Sequence, residues 1–311
     1  MVERDNIIID GADYTLKGAS IMGKYLSIGI DVSGRANVTV QNMKIQNFYY
    51  GIDLGYSYNN SIVGNNITAN NYAGVYLFDS YNNSISGNNI ENNGNGIHLV
   101  SSSYNSISGN DIENNGGGVY LYESSYNSIV GNNINANRFG IDLHYSSNNV
   151  IYRNNFVDNT WQVSSAYSTN VWDGGYPSGG NFWSNYRGVD YYSGPYQNEP
   201  GSDGIGDSPY VIDSSNVDRY PLMERVRFVM LEELTVSIEP KHVEARPGDV
   251  VNYTVTLGWK PVTWRGTISV TLTISGDGYE ERHDLQITPV SYTHLRAHET
   301  SLHLVCRLLL E

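Results

Sequence analysis

Cysteine is almost missing from this 311-residue chain: there is one, Cys306, and a lone cysteine closes no disulfide within a chain. No apolar run approaches the roughly 20 residues that a membrane-spanning helix needs. The opening MVERDNIIIDG has no apolar core of the kind a secretory signal requires, so the start alone reads as cytosolic. Basic residues are scarce as well, with 18 Lys and Arg against 32 Asp and Glu and a net charge of −14. That balance argues against a phosphate-backbone partner, and no nucleic acid is expected here. Charged residues reach only 16% of the chain, while Tyr reaches 26 residues and Gly 32. A surface so poor in charge and so rich in Tyr and Gly is built for hydrogen bonding and ring contacts rather than salt bridges.

The C-terminal tail stands apart. VSYTHLRAHET at 290 to 300 resembles a transposase-end sequencing adapter read in one frame, and LVCRLLLE at 304 to 311 resembles the flow-cell adapter that follows an index. The competing reading is an amphipathic helix ending at Leu308 to Leu310. Two adapter matches in register favour the adapter. The native sequence is then expected to stop near Thr288, which removes Cys306 together with His294, His298 and His303. Net charge is unchanged, because Arg296 and Arg307 cancel Glu299 and Glu311.

What is abundant repeats. Asn60-Ser61-Ile62 returns at Asn83, Asn105 and Asn127, and more loosely at Asn149, in steps of 23, 22, 22 and 22. Gly-Asn-Asn-Ile at 64 to 67 recurs at 87, 109 and 131, and Gly-Ile-x-Leu recurs from 29 to 143, all in phase. Asn and Gly interrupt every helical window, and no leucine-rich consensus is present. Three short apolar pieces per unit with Asn/Gly corners point to an all-β fold, a right-handed parallel β-helix with three short strands per coil of about 22 residues.

Like positions must then stack in columns. Ile62, Ile85, Ile107, Ile129 and Ile151 form one inward column; Ile67, Ile90, Ile112, Ile134 and Phe156 a second; Leu54, Leu77, Leu99, Leu121 and Leu143 a third. Three asparagine columns begin at Asn60, Asn65 and Asn70 and mark the corners, where Asn and Gly tolerate left-handed backbone and where stacked amides bond along the axis. The sequons at Asn59, Asn66 and Asn82 fall inside the same pattern and are read as architecture.

Past the clean repeats, Thr160 to Val163, Asn170 to Trp172 and Gly180 to Trp183 continue the coil in shortened form. An aperiodic Gly/Pro/Tyr-rich segment follows. From Leu234 the alternation of half-buried strands takes over, at Val236 and Ile238, at Tyr253, Val255 and Leu257, and from Ile268 to Ile274. The expected organisation is a β-helix with its closing segment over 1–223, a linker over 224–233, a truncated immunoglobulin-like sandwich over 234–288 and the adapter-like tail over 289–311.

The coils, with NFWSNY, DGIGDSPYVID and DRYPLM, resemble the NosD-like branch of the pectin-lyase-type right-handed β-helices over roughly residues 5 to 223. The resemblance implies an entry segment at NIIIDGADYTLKG that normally follows a signal peptide. It therefore implies a fragment at both ends and an exported, cell-surface or periplasmic protein, against the cytosolic reading of the start. The namesake is a periplasmic accessory protein in copper-site maturation. Copper needs converging His, Met or Cys donors, and the coils offer only His98 and His144, about 10 Å apart along the axis and in different columns. Copper is not supported by these residues.

In Gly-Ile-x-Leu the x side chain points outward, which makes a column of Asp31, Asp53, Tyr76, His98, Tyr120 and Asp142, with Phe78, Val100, Tyr122 and His144 two positions on. Aromatic rings flanked by carboxylates on a rigid sheet suit sugars, so Asp53, Tyr76, Phe78, His98, Tyr120, Tyr122 and Asp142 are the candidate carbohydrate-binding residues. The bland alternative is that Tyr simply favours strand surfaces. The expected partner is a polysaccharide or another cell-envelope component, held without catalysis. An enzyme reading, hydrolase or lyase, would fall on Asp31, Asp53 and Asp142 as acid or base. No Lys or Arg occurs between Lys44 and Arg138 to serve as a lyase base. The loop Ser202 to Asp207 resembles half of an Asp-rich calcium loop, which makes Asp203 and Asp207 candidate calcium ligands, with a plain Gly-rich turn as the alternative.

Resequencing the source locus from independent genomic DNA should replace everything after about residue 290 with further sandwich strands. Recovery of SYTHLRAHET from that DNA would overturn the adapter assignment.

Overall fold

The computed structural model describes residues 1–19 and 27–227 in full, and beyond them the backbone of five strands between Met230 and Leu309. The chain divides into two units, Met1–Val226 and Arg227–Glu311. Among the described residues no helix is long and apolar enough to cross a membrane.

The first unit is a right-handed parallel β-solenoid built of three sheets. One sheet runs from Ile7–Asp10 through Ser84–Ser86 to Val150–Tyr152 and has seven strands; the next runs from Thr15–Lys17 to Phe182–Trp183 and has eight. The third, also of seven, holds the longest repeated strands, such as Asn95–Val100 and Phe139–His144. Pairing is parallel and in register, Ile62 on Ile85 on Ile107 and Leu77 on Leu99 on Leu121, as the columns require. These residues are fully buried. The three-residue strands of the regular coils in the first two sheets, such as Ser84–Ser86 and Asn89–Glu91, bury only their central residue, so each relies on one Ile whose burial contributes about 2–3 kcal/mol. At the C-terminal end the second column closes with Phe156 on Trp183, rings 4.3 Å apart.

The glycine of Gly-Ile-x-Leu has a steric cause. A Cβ on Gly96 would stand 2.6 Å from the Gly118 carbonyl oxygen and 2.9 Å from Ile112 Cγ2, and Gly51, Gly74, Gly118 and Gly140 meet the same obstruction. The third sheet passes so close to the core here that no side chain fits.

The corner asparagines are buried and bonded at every group. Asn83 Oδ1 accepts from the backbone N–H and the Nδ2 of Asn60 at 2.9 and 3.0 Å, and Asn83 repeats both donations to Asn105 Oδ1. The amide also reaches a carbonyl of the coil before, as Asn110 Nδ2 does to Ile85 O at 2.9 Å. The ladder residues are not, however, the left-handed ones. Positive φ falls on the residue just before each: Asn82, Tyr104 and Tyr126 in one column, Gly64 and Gly87 in a second, Ala69 and Asn92 in a third. One residue bends the chain and the next bonds it. A fourth ladder, unexpected from the sequence, is serine: the backbone N–H groups of Ser57, Ser80, Ser102, Ser124 and Ser146 each donate to the hydroxyl of the next rung's serine.

The closing segment ends the ladders. Asn170 donates to Asn216 Oδ1, and the Asn181 N–H and Trp183 Nε1 both donate to Asp218 Oδ2, at 2.7 and 2.8 Å. A carboxylate accepts without donating, which suits it to the last place in a chain of donors. Burial nonetheless pushes the Asp218 carboxyl up to about 7 against those three N–H donors, Tyr220 N being the third.

In the second unit Met230–Glu239 runs antiparallel to Val250–Val262, which pairs on its other side with Thr300–Leu309, and Ile268–Gly276 pairs with Tyr279–Ile287. The expected sandwich segments fall within these strands. Residues 289–299, half of the adapter-like tail, lie outside the described residues.

Ile85→Asp should cost more than about 4 kcal/mol by burying an unpaired charge. Asn83→Ala strands several buried donors and acceptors and should cost about 3 kcal/mol. Gly96→Ala should cost about 1–3 kcal/mol through overpacking. Thermal and urea melts measure all three, and an Asn83→Ala melt indistinguishable from the parent would contradict the ladder's role.

Candidate functional site

The third sheet places Asp31, Asp53, Tyr76, His98, Tyr120 and Asp142 on successive rungs of one outward column. The face they make is not open. Tyr49, Tyr50, Tyr72 and Tyr76 fold over one another, with Tyr50 stacked on Tyr76 at 4.5 Å and Tyr49 on Tyr72 at 5.2 Å. Burial pushes the Tyr76 phenol up to about 12 and raises Tyr50 and Tyr72 as well. His98, expected at the surface, is 3% exposed. The rings of Tyr72, Tyr76 and Tyr120 surround it at 5.3, 5.4 and 4.6 Å. Neither its Nδ1 nor its Nε2 has a hydrogen-bond partner, and burial brings its pKa down to about 4, so the ring is neutral at pH 7.

A groove opens beside His98 because a neighbouring column changes size. Down that column run Tyr50, Ala73, Asn95, Gly117, Phe139 and Trp161. The small middle residues leave a gap of about 270 Å³ with His98, Asn95 and Gly117 at its floor, Tyr72 and Phe139 as walls, and Arg138 and Asp142 at its rim. Asp142 Oδ1 is buried without a directed hydrogen bond, and its near neighbour is His144 Nε2 at 3.1 Å. The Arg138 guanidinium lies over Phe139 and Trp161 at 5.3 and 5.8 Å.

Of the residues singled out in the sequence, His98, Tyr120 and Asp142 line this groove, and Tyr76 backs His98. Asp53 sits two rungs away beside Asp31; its carboxyl is raised to about 6 by burial and then by Asp31, against the Gly55 N–H. Phe78 and Tyr122 belong to the other edge of the sheet, edge-on to Tyr56 and Tyr145 at 5.2 and 6.1 Å. Tyr72, Asn95, Arg138, Phe139 and Trp161 escaped the sequence reading. Asn95, Phe139 and Trp161 were signalled by the aromatic–small–aromatic run of one column at the 22-residue step, whereas Tyr72 and Arg138 lie outside that column.

At the proposed calcium loop the carboxylates are turned onto backbone donors. Asp207 accepts from the N–H groups of Tyr191 and Tyr192, Asp203 from Gly194, Ile205 and the Gln197 amide, and Asp190 from Ser202, Asp203 and Gly204. These bonds hold the turn together through the three carboxylates.

The solenoid, with its short parallel strands and stacked corners, defines a right-handed β-helix of the pectin-lyase type. A family profile described as "Periplasmic copper-binding protein (NosD)" matches residues 4–188, and the chain belongs to that family. No curated protein matches the sequence. Among solved structures, the periplasmic alginate epimerase AlgG is 28% identical over 46% of this chain and 35% of its own, with a TM-score of 0.43. A double mutant of the same epimerase is 26% identical over 50% of this chain and 34% of its own, with a TM-score of 0.40. The A-module of Azotobacter vinelandii mannuronan C-5 epimerase AlgE6 is 16% identical over 46% and 54%, with a TM-score of 0.33. The chain thus spans about a third of the length of AlgG, and no residue role transfers at such superpositions.

Copper, which the family description names, finds no matching donor set among the described residues. His98 and His144 stand on rungs two apart with the Tyr120 ring between them, at 4.6 and 5.7 Å from the two imidazoles. Among the described residues no three His, Cys, Asp or Glu side chains converge as a metal site. The described residues do not fit a copper centre.

Asp53 and His98 titrate in opposite senses in one window. Between about pH 4 and 6 folded Asp53 keeps a proton that the unfolded chain has lost, so its contribution to stability falls as pH rises. Between about pH 4 and 6.5 the unfolded chain holds a proton that folded His98 refuses, so that contribution rises with pH. Relative to the parent, Asp53→Asn should therefore gain stability across this window and His98→Gln should lose it. Urea melts at half-unit pH steps measure both slopes, and parallel curves would show that neither group is shifted.

Proposed function

We propose that this protein is an exported β-helix scaffold that binds polysaccharide, with the His98 groove as its saccharide subsite. The observation that carries this reading is the unpartnered imidazole at the groove floor. A buried polar group left unbonded is costly, and two separate sugar hydroxyls can satisfy the ring, one donating to the bare nitrogen and one accepting from the N–H. The surrounding groups suit the same guest. Phe139 and Tyr72 offer flat apolar faces, while Asn95, Asp142 and Tyr120 offer hydrogen bonds around them. Repeating rungs present this chemistry on a rigid support, which lowers the ordering cost of binding. Membership of a family described as periplasmic supports a place in the cell envelope, inside or beyond the outer boundary.

Asp53 supports a second reading, as an enzyme. A carboxyl raised to about 6 beside Asp31 is the kind of group that serves as a general acid. It lies outside the groove, which favours binding over catalysis as the first reading.

A glycan array followed by titration calorimetry on the retained polymers tests both. Tyr120→Ala and Phe139→Ala should weaken binding by at least about tenfold, the scale of a buried aromatic contact, while Tyr122→Ala on the far edge leaves it unchanged. Reducing-end and unsaturated-product assays on the same polymers should stay blank. Product that disappears in Asp53→Asn would establish the enzyme, and an empty array would remove the carbohydrate reading.

A further inference from the structure

The wall that closes the His98 groove has a second side. Phe139 and Trp161 stack at 4.9 Å and 16°, and Phe139 lines the groove. Beyond Trp161 lies a larger cavity of about 490 Å³, where Trp161–Ala166, the last long strand of the third sheet, meets the closing segment. Trp161 is 49% exposed there, whereas Trp172 and Trp183 are 1% exposed. Around the indole stand Gln162, Asn185, Arg187 and Tyr210. Their polar groups are already oriented: Gln162 Nε2 donates to Ser184 Oγ, the Tyr210 hydroxyl to Asn185 Oδ1, and Arg187 to the carbonyls of Ser184 and Tyr186. One flat apolar surface within a rim of fixed amides, a phenol and a guanidinium is the complement of a pyranose ring, apolar on its face and hydroxylated at its edge.

We infer that this cavity is a second saccharide subsite, and that one linear oligosaccharide occupies both sites by passing over the Phe139–Trp161 wall. The inference rests on the saccharide reading of the His98 groove. That groove, at about 270 Å³, falls below the range of roughly 300–1,000 Å³ usual for sites that enclose a ligand, so it holds only part of a chain. The shared wall joins it to the second cavity: Phe139 lines the groove, Trp161 lines the cavity, and Arg138 lies against both rings. From the Asn95 rung to the Trp161 rung is three steps, about 14 Å, longer than a disaccharide. The natural occupant is therefore an extended glycan rather than a free sugar.

Calorimetry on the full chain with cello-oligosaccharides and with oligogalacturonates, each from one to six units, tests the linkage and separates neutral from acidic glycans. In the series that binds, affinity should keep climbing beyond the disaccharide. Trp161→Ala should remove that climb, a loss of about thirtyfold for the longest member, and Arg187→Ala, which leaves the ring stack intact, should remove part of it. Arg187→Ala, which touches neither ring of the wall, should bind the disaccharide as the parent does. An affinity that levels off at the disaccharide, or a full climb in both variants, overturns the second subsite while leaving the groove reading in place. No binding by the parent in either series overturns both.

Discussion

Everything in the solenoid depends on one requirement: each coil must satisfy the backbone and corner groups of the next. Parallel strands do this along the three faces, but the corners expose N–H and C=O groups that a turn would ordinarily give to water. Asparagine solves the problem from the side chain. Its amide oxygen takes two donors from the coil before it, and its amide nitrogen gives to the coil after it and to a buried carbonyl of the coil before. The hydrophobic columns can then be narrow. Strands of three residues with a single buried Ile would be marginal alone; bonded above and below at every corner, they hold as a stack.

The candidate site is a by-product of that regularity. Because rungs are in register, a column of outward residues is a surface whose relief follows the sequence at one position per coil. Ala73, Asn95 and Gly117 set between Tyr50 and Phe139 make a trough without any loop or insertion. Rigid strands rather than mobile loops hold the groups around it, and the tyrosines that roof His98 come from the rungs on either side and from a corner. The closing segment serves both ends of the problem, capping the asparagine ladders through Asn216 and Asp218 and forming one wall of the larger cavity with Tyr210.

Sequence periodicity made the coils, the three core columns and the asparagine corners legible, because stacking converts a repeat length directly into a register. Family membership over residues 4–188 agrees with that reading. What stayed hidden depends on distances perpendicular to the chain. Nothing in Gly-Ile-x-Leu says that the glycine nearly touches the next carbonyl; that follows from how far the third sheet leans inward. The outward direction of His98 was legible, but its burial was not, since Tyr72 reaches it from a corner in another column. The serine ladder is written at the same step as the asparagines, but a serine at a turn carries no sign in itself that its hydroxyl stacks on the next rung. Asp218 as a terminal acceptor required knowing that a segment more than 30 residues past the last rung folds back onto it.

Rung-by-rung construction also makes the geometry of the exterior quantised. The trough is as wide as the number of small residues that follow one another in its column, and each coil adds or removes one strand spacing, about 4.8 Å. Gain or loss of a whole 22-residue unit would slide the aromatic walls apart or together by one such increment while leaving every ladder, core column and cap intact, since each unit presents the same bonds to its neighbours. A fractional insertion has no such freedom, because it moves an asparagine off its corner. Variation among chains of this kind is thereby channelled into discrete widths, so that the architecture acts as a ruler on which groove size is reset in steps without redesigning the fold.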